Sequence, residues 1–380
     1  MNHLLNYPFL LLFYYFLLVH LSVFAQRPSV RDMGLEIGVV PPGPKNAIVD
    51  VAGVGVGHTT LIMGDSIRTG VTAILPHSGN LFREKVPSAI YVGNGFGKLA
   101  GSTQVTELGT LETPIVLTNT LSVATGIQAL ITYTLQNPEN ADIRSVNAVV
   151  GETNDGFLND IQGRHVQEAD VLSAIAQATT DSVIQGNVGA GTGTICFGFK
   201  GGIGTSSRKL PEQFGGYTVG VLVQTNFGGD LLIKGVPVGV ALNPYWKEQF
   251  QQDSDGSCMI VVATDAPLDS RNLNRLAKRA IFGLARTGGV ASNGSGDYVI
   301  AFSTAQSVRT VPSDTLLQKQ EVIINQEMTP LFWAVIEATE EAILNSMFLA
   351  ETMRGKNGRE IKAIPLDEVR QLMKAHGYLR

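Results

Sequence analysis

The chain has 380 residues, 28 Lys and Arg against 33 Asp and Glu, and a formal net charge of −5. Charges of both signs are scattered, which offers no basic patch to a nucleic-acid backbone and no polybasic segment to a membrane surface. Two Cys and six dispersed His give neither a disulfide framework nor a paired-His metal motif, so no metal or other cofactor is expected.

An apolar run from Phe9 to Val19 leads into a small-residue stretch ending at Ala25, the pattern of a signal peptide cleaved after Ala25. The run is too short to span a bilayer. Only His3 precedes it as a basic group, which keeps an uncleaved anchor as the second reading. Export to the periplasm or the medium follows, with no stable membrane association once the leader is gone. Residues 26–380 contain no Pro/Ser-rich linker and no long charge run, and are expected to form one catalytic domain.

The first strand-like run is Ala47 to Val54. After it, "GNGFGKL" lacks the first Gly of a P-loop and ends in Leu99 where a Ser or Thr would take magnesium. In "VVGETNDGFLND" an apolar run ends in Glu152 and a turn. Glu152 is either a solvated acid at a strand end or a pocket carboxylate that holds a cationic amine. The glycines of "GAGTGTICFG" lack the strand-to-helix frame of a dinucleotide site. Tyr217 to Thr225 reads as another strand, closed by Asn226 either as a turn residue or as an amide donor to an oxyanion.

In "QQDSDGSCMIVVATDAPL" a turn-forming run meets a buried strand, Cys258 to Thr264, at Gly256 and Ser257. Locally this is a loop entering a sheet. Chemically, it places a Ser nucleophile at a strand start. With no His in an evident triad, the base would be the α-amine of Ser257 itself, freed by cleavage of the Gly256–Ser257 bond. A helix follows, with Leu273, Leu276, Ala277, Ala280, Ile281 and Leu284 on one face, Asp269 or Ser270 as its start and Gly288 as its end. "SNGSGDYVIAFST" sets Ser295 and Asp297 two residues apart before the strand Tyr298 to Ser303, so both face one side if the strand extends backwards. They are either part of a Gly-rich turn or a pair in which Ser295 relays a proton at Ser257 and Asp297 fixes it. Two more helices are expected, from about Pro330 to Met353 and from about Leu366 to His376. Strands between helical layers make a layered α/β or α+β body.

Eight segments in order carry a resemblance across nearly all of residues 26–380: "DVAGVGVGHTT", "NGFGKLAG", "PIVLTNT", "VVGETNDGFLND", "GNVGAGTGTICFGFKGGIGTSSR", "VLVQTNFGG", "DGSCMIVVATDAPL" and "GSGDYVIAFST". Together they resemble the self-processing aminopeptidase family of L-aminopeptidase/D-esterase-amidases and β-peptidyl aminopeptidases. The resemblance implies an α+β fold, a four-layer αββα sandwich with the layering of N-terminal nucleophile hydrolases but different connectivity. It implies self-cleavage between Gly256 and Ser257 into an α-chain, 26–256, and a β-chain, 257–380, that stay together in a homo-oligomer, often a tetramer of αβ units. By position, Ser257 is similar to the nucleophile, Ser295 and Asp297 to its supporting pair, Glu152 to the anchor of the substrate amine, and Asn226 to the oxyanion donor. Some β-peptide-cleaving relatives carry Glu where this chain has Asp297, which leaves the preference among L-α-, D- and β-residues open. The expected function is a serine aminopeptidase/amidase that releases N-terminal residues from peptides, amides or esters with a free amino group, through an acyl-enzyme on Ser257. Three alternatives stand beside it: an acyl transferase using the same acyl-enzyme, a different amidohydrolase acting on non-peptide amides or esters, and a non-catalytic exported ligand-binding protein.

Overall fold

The computed structural model describes residues 27–242, 256–313 and 315–380; the expected signal peptide and the polar run Gln251–Asp255 lie outside the described residues. The first half of the chain forms β1 (Gly55–Met63), β2 (Ile67–Leu75), β3 (Val86–Gly95), β4 (Leu99–Ala100), α1 (Ser102–Leu108), β5 (Thr110–Leu111), β6 (Ile115–Asn119), α2 (Val123–Leu135), β7 (Val149–Thr153) and α3 (Glu168–Ala176). The Gly-rich middle supplies β8 (Ile195–Cys196), β9 (Phe199–Lys200), β10 (Ile203–Lys209), β11 (Thr218–Asn226) and the hairpin β12 (Leu232–Ile233) with β13 (Val236–Pro237). Then come β14 (Gly256–Thr264), α4 (Ser270–Arg286), β15 (Ser295–Ser303), α5 (Thr329–Phe348) and α6 (Leu366–Ala375).

Two main sheets result, in the orders β1-β2-β6-β7-β4 and β10-β11-β14-β15-β3-β5. Each contains one parallel pair, β6 with β7 and β14 with β15, and in each the crossover between the pair includes a helix, α2 or α4. The alternation of side chains along β14 explains how it is buried on both faces. Cys258, Ile260 and Val262 pack with Leu276 and Ala280 of α4 and Val335 of α5. Met259, Val261 and Ala263 pack instead with Leu117 and Val149 of the other sheet. A third cluster joins Val116 and Val150 to Leu130 of α2 and Val171 of α3. The layers are therefore αββα, as expected. Each fully buried Leu or Val in these seams contributes about 2 kcal/mol.

Helix α4 begins where Asp269 Oδ1 accepts from Asn272 N at 2.8 Å, and the chain turns away at Gly288, φ +91°. Helix α5 stops at Phe348, short of the expected Met353. There the carbonyl of Leu349 lies 2.5 Å from where a Cβ on Gly186 would sit, so the chain has already left the helix to pack against a glycine.

One expected strand is absent. Ala47 to Val54 contains a single 3₁₀ turn, Ile48–Asp50, and pairs with no strand. Ile48 N donates to Thr205 Oγ1 at 2.8 Å, and the Ile48 backbone rides over Gly220, 2.7 Å from a would-be Cβ. The run is apolar because it plugs the second sheet, and a short buried apolar run reads as a strand whatever its backbone does.

Candidate active site

Three adjacent strands bring the site together. In their registers Asn226 at the end of β11 lies opposite Ser257, while Ser295 and Asp297 at the start of β15 lie beside Gly256 and Cys258. Strand β15 begins at Ser295, three residues before its apolar run, so Ser295 and Asp297 do share a face. That face is the one turned to the helices, with Val299 and Ala301. Ser257 belongs with Met259 and Val261 on the face turned to the other sheet, and Asn226 with Leu222.

The pair thus flanks the Gly256–Ser257 peptide from behind instead of standing beside the Ser257 hydroxyl. Ser295 Oγ lies 3.4 Å from where a Cβ on Gly256 would sit. Ser257 Oγ donates to the Gly256 carbonyl oxygen at 2.5 Å and receives a long contact from Gly296 N at 3.4 Å. Ser257 is 5% exposed.

Ser295 Oγ and both carboxylate oxygens of Asp297 have no hydrogen-bond partner among the described residues. Burial pushes Asp297 up to about 6, and the nearby Ser295 hydroxyl and Cys258 amide pull it partly back. A buried acid and hydroxyl left without partners is a costly arrangement in a core, and it marks a position kept for chemistry. Cys258 beside them is free and buried, its thiol held well above the ordinary range by burial.

Glu152 reaches the same place from the first sheet. Its Oε1 accepts from Lys98 N at 3.0 Å, its Oε2 from the Thr120 hydroxyl, and the Lys98 ammonium stands 4.0 Å away. A Cβ on Gly97 would fall 3.0 Å from Glu152 Oε1 and 3.7 Å from the Gly296 Cα, so only a glycine's width separates the carboxylate from the backbone under Ser257. The Tyr298 phenol is raised by burial and by the charges of both Glu152 and Asp297. On the other side, Asn226 Oδ1 accepts from Ile195 N at 3.0 Å, which fixes the amide plane and leaves the NH₂ end as a donor.

The candidate site residues therefore gather at the starts of β14 and β15, with Ser257 and Asn226 on one face, Ser295 and Asp297 on the other, and Glu152 approaching Gly296 from the first sheet. Nothing in the sequence pattern marks Lys98, Thr120 or Tyr298 as site residues. The segments "NGFGKLAG" and "PIVLTNT" contain the first two, but a backbone N–H and a loop hydroxyl leave no side-chain pattern to read. Among the described residues no group of three or more His, Cys, Asp or Glu could hold a metal ion.

Residues 46–361 match peptidase family S58. The chain belongs to that family. Beta-peptidyl aminopeptidase BapA of Sphingosinicella microcystinivorans is 40% identical over 379 residues, covering 93% of this chain and 93% of that one. Among solved structures, a Burkholderia sp. beta-aminopeptidase superposes with a TM-score of 0.86 at 38% identity, over 92% of this chain and 99% of that one. The L-aminopeptidase D-Ala-esterase/amidase of Ochrobactrum anthropi, described as a prototype for the serine aminopeptidases and a variant of the Ntn hydrolase fold, superposes with a TM-score of 0.85 at 37% identity. That match covers 93% of this chain and 100% of the other. Family S58 membership and the shared fold make the chain a peptide-bond hydrolase of the aminopeptidase kind, and remove the reading as a non-catalytic binding protein.

Proposed function

We propose that this S58 peptidase cuts itself between Gly256 and Ser257 and then releases N-terminal residues from peptides, amides or esters through an acyl-enzyme on Ser257. The observation that carries the reading is the Ser257 hydroxyl held against the Gly256 carbonyl while Ser295 and Asp297 sit unpartnered on the far side of the same bond. In the uncut chain, Ser257 Oγ attacks the Gly256 carbonyl carbon and the C–N bond breaks. This leaves an ester on Oγ and a free α-amine on Ser257. Water then hydrolyses the ester, so that Gly256 ends as a carboxylate.

The new α-amine, with an ordinary pKa near 7.7–8.0, takes the Oγ proton in each later turnover. Ser295 and Asp297, on the far side of the same bond, orient it. The Asn226 NH₂ group donates to the oxyanion, a contact of the type whose removal costs roughly 10²–10³ in kcat. Glu152 pairs with the ammonium of the substrate, which fixes the scissile carbonyl one residue in. Substrates are small peptides, amides or esters with a free amine, β-peptides among them given the activity named for two relatives.

Export with loss of residues 1–25 belongs to the same proposal, supported by the Phe9–Val19 run. So does assembly into a homo-oligomer such as a tetramer of αβ units, for which Phe282 and Trp333, 52% and 50% exposed on α4 and α5, offer apolar surface. The test is the intact mass of the purified protein beside its Ser257→Ala variant. Two polypeptides matching 26–256 and 257–380 in the wild type, with the variant whole, are expected. Two single chains would end the N-terminal nucleophile reading.

A further inference from the structure

Lys200, at the end of β9, is 0% exposed. A buried ammonium costs several kcal/mol unless every donor is met. Here the matching is complete: Nζ donates to Gly191 O at 3.0 Å, Thr194 O at 2.9 Å and Gly201 O at 2.8 Å. Three N–H donors against three carbonyls is the stoichiometry of the charged form. Burial pulls the pKa of Lys200 down to about 7, with Asp155 and Cys196 opposing. Arg208 is equally buried but meets the carboxylates of Glu337 and Glu341, an ion-pair network between β10 and α5. Lys200 has no carboxylate within ion-pair distance among the described residues. What it holds is backbone.

That backbone is the Gly-rich stretch before β10, and it is tied to the site at successive points. Ile195 N donates to Asn226 Oδ1 at 3.0 Å, Phe197 N to Phe227 O at 2.8 Å, and Thr225 N to Gly202 O at 3.1 Å. Phe197 sits at φ +51° and Gly198 at φ +79° in the turn between β8 and β9. A Phe in the left-handed region persists only where its surroundings impose it. Its ring meets that of Phe227 edge-on at 5.0 Å, and the Phe227 Cα lies 3.2 Å from a would-be Cβ on Gly256.

We propose that Lys200 is a positioning residue: it gathers the carbonyls of residues 191–201 around one ammonium and so fixes the Ile195 amide that orients Asn226 toward the oxyanion. The inference rests on the reading of Asn226 as the oxyanion donor. Lys200→Met, of similar length and without donors, takes one donor from each of three carbonyls; Gly191 O keeps the Thr194 hydroxyl and Thr194 O keeps Gly201 N, but the common tie that holds them together is lost and the segment is free to shift.

The experiment measures kcat and KM for N-terminal residue release by Lys200→Met, Asn226→Ala and the double variant, per cut chain counted by intact mass. Lys200→Met is expected to lower kcat about 10- to 100-fold, short of a full donor loss, with KM within about threefold because Glu152 is untouched. The double variant is expected within about twofold of Asn226→Ala alone, since residues acting as one unit do not add. A purely structural Lys200 would lower the yield of cut chain and leave kcat per chain as in the wild type. That outcome, or losses that multiply in the double variant, overturns the inference while the role of Asn226 stands. If Asn226→Ala itself keeps wild-type kcat, both fall together. Should Lys200→Met not accumulate, Lys200→Gln retains two donors on a shorter stem; a partial kcat loss at unchanged KM supports the inference and wild-type kcat sinks it.

Discussion

Two acids of the proposed site have their electrostatics set in different ways. Asp297 is raised from the ordinary 3.8 to about 6 by burial. Between about pH 4 and 6 the unfolded chain therefore gives up a proton that the native chain keeps, so stability falls as pH rises through that window and is level above it. For a rise of this size the cost at neutral pH is about 3 kcal/mol. In the uncut Ser257→Ala background, which has no α-amine to offset the charge, Asp297→Asn is expected to gain stability of that order at pH 7 and none at pH 3.5. Urea unfolding at the two pH values reads this directly, and an equal gain at both would show that the carboxylate's ionisation is not the cause. In the cut enzyme the same substitution is expected to lose activity. Glu152 works through its own contacts. Glu152→Gln keeps an amide oxygen for Lys98 N and sets its NH₂ group against the Thr120 hydroxyl, which can turn to accept, but gives up the charge. The expected result is a kcat/KM about 10- to 100-fold lower on a substrate with a free amine, chiefly through KM, with hydrolysis of its N-acetylated counterpart unchanged. A matching loss on both substrates would make Glu152 a structural acid.

At the level of elements, legibility followed hydrophobicity. Cys258 to Thr264 and Tyr298 to Ser303 were readable as strands because they are apolar on both faces, whereas Gly256, Ser257 and Ser295–Asp297 are strand by virtue of pairing alone. The proposed chemistry sits in those residues, at strand starts where polar side chains replace core ones. Pattern also gave Ser295 and Asp297 a shared face but not which face, since that depends on the register with β14. Ala47 to Val54 failed for the converse reason, being apolar and buried without pairing. The glycine clusters signalled close approach in general, and the structure says which are indispensable. Gly204 in β10 faces α5 so tightly that a Cβ would lie 1.9 Å from Ala342 O and 2.6 Å from Ser346 N. Backbone cannot yield as a flexible side chain does, so Gly204→Ala is expected to destabilise by about 3 kcal/mol or more. Gly55→Ala in β1 meets its nearest atom, Ala178 Cβ, at an ordinary 3.6 Å and is expected to change stability by less than about 1 kcal/mol. Urea midpoints of the two variants compare them, and equal midpoints would mean that the β10–α5 contact relaxes freely.

On the scale of the whole molecule, the proposed cut leaves β14 and β15 in one polypeptide and every other strand of both sheets in the other. The order β10-β11-β14-β15-β3-β5 sets these two strands in the middle of the second sheet, with β11 hydrogen-bonded on one flank and β3 on the other. The β-chain also takes α4 and α5, and α5 packs on β10 and β11 of its partner. Two of the three apolar clusters are consequently shared between the polypeptides. Separation would break two strand junctions, exposing four sheet edges and two cores at once, a cost far above what either piece recovers alone. The cut protein is therefore expected to elute as one species in native gel filtration and to resolve into its parts only in denaturant, and parts that separate without denaturant would refute the shared-core account. Because cleavage removes one peptide bond and no packing, the melting temperature of the cut enzyme should stay within a few degrees of that of the uncut Ser257→Ala chain. A large rise on cutting would place stored strain in the Gly256–Ser257 linkage, with its release helping to drive self-cleavage, whereas a large fall would mean that the intact linkage itself holds the two cores together.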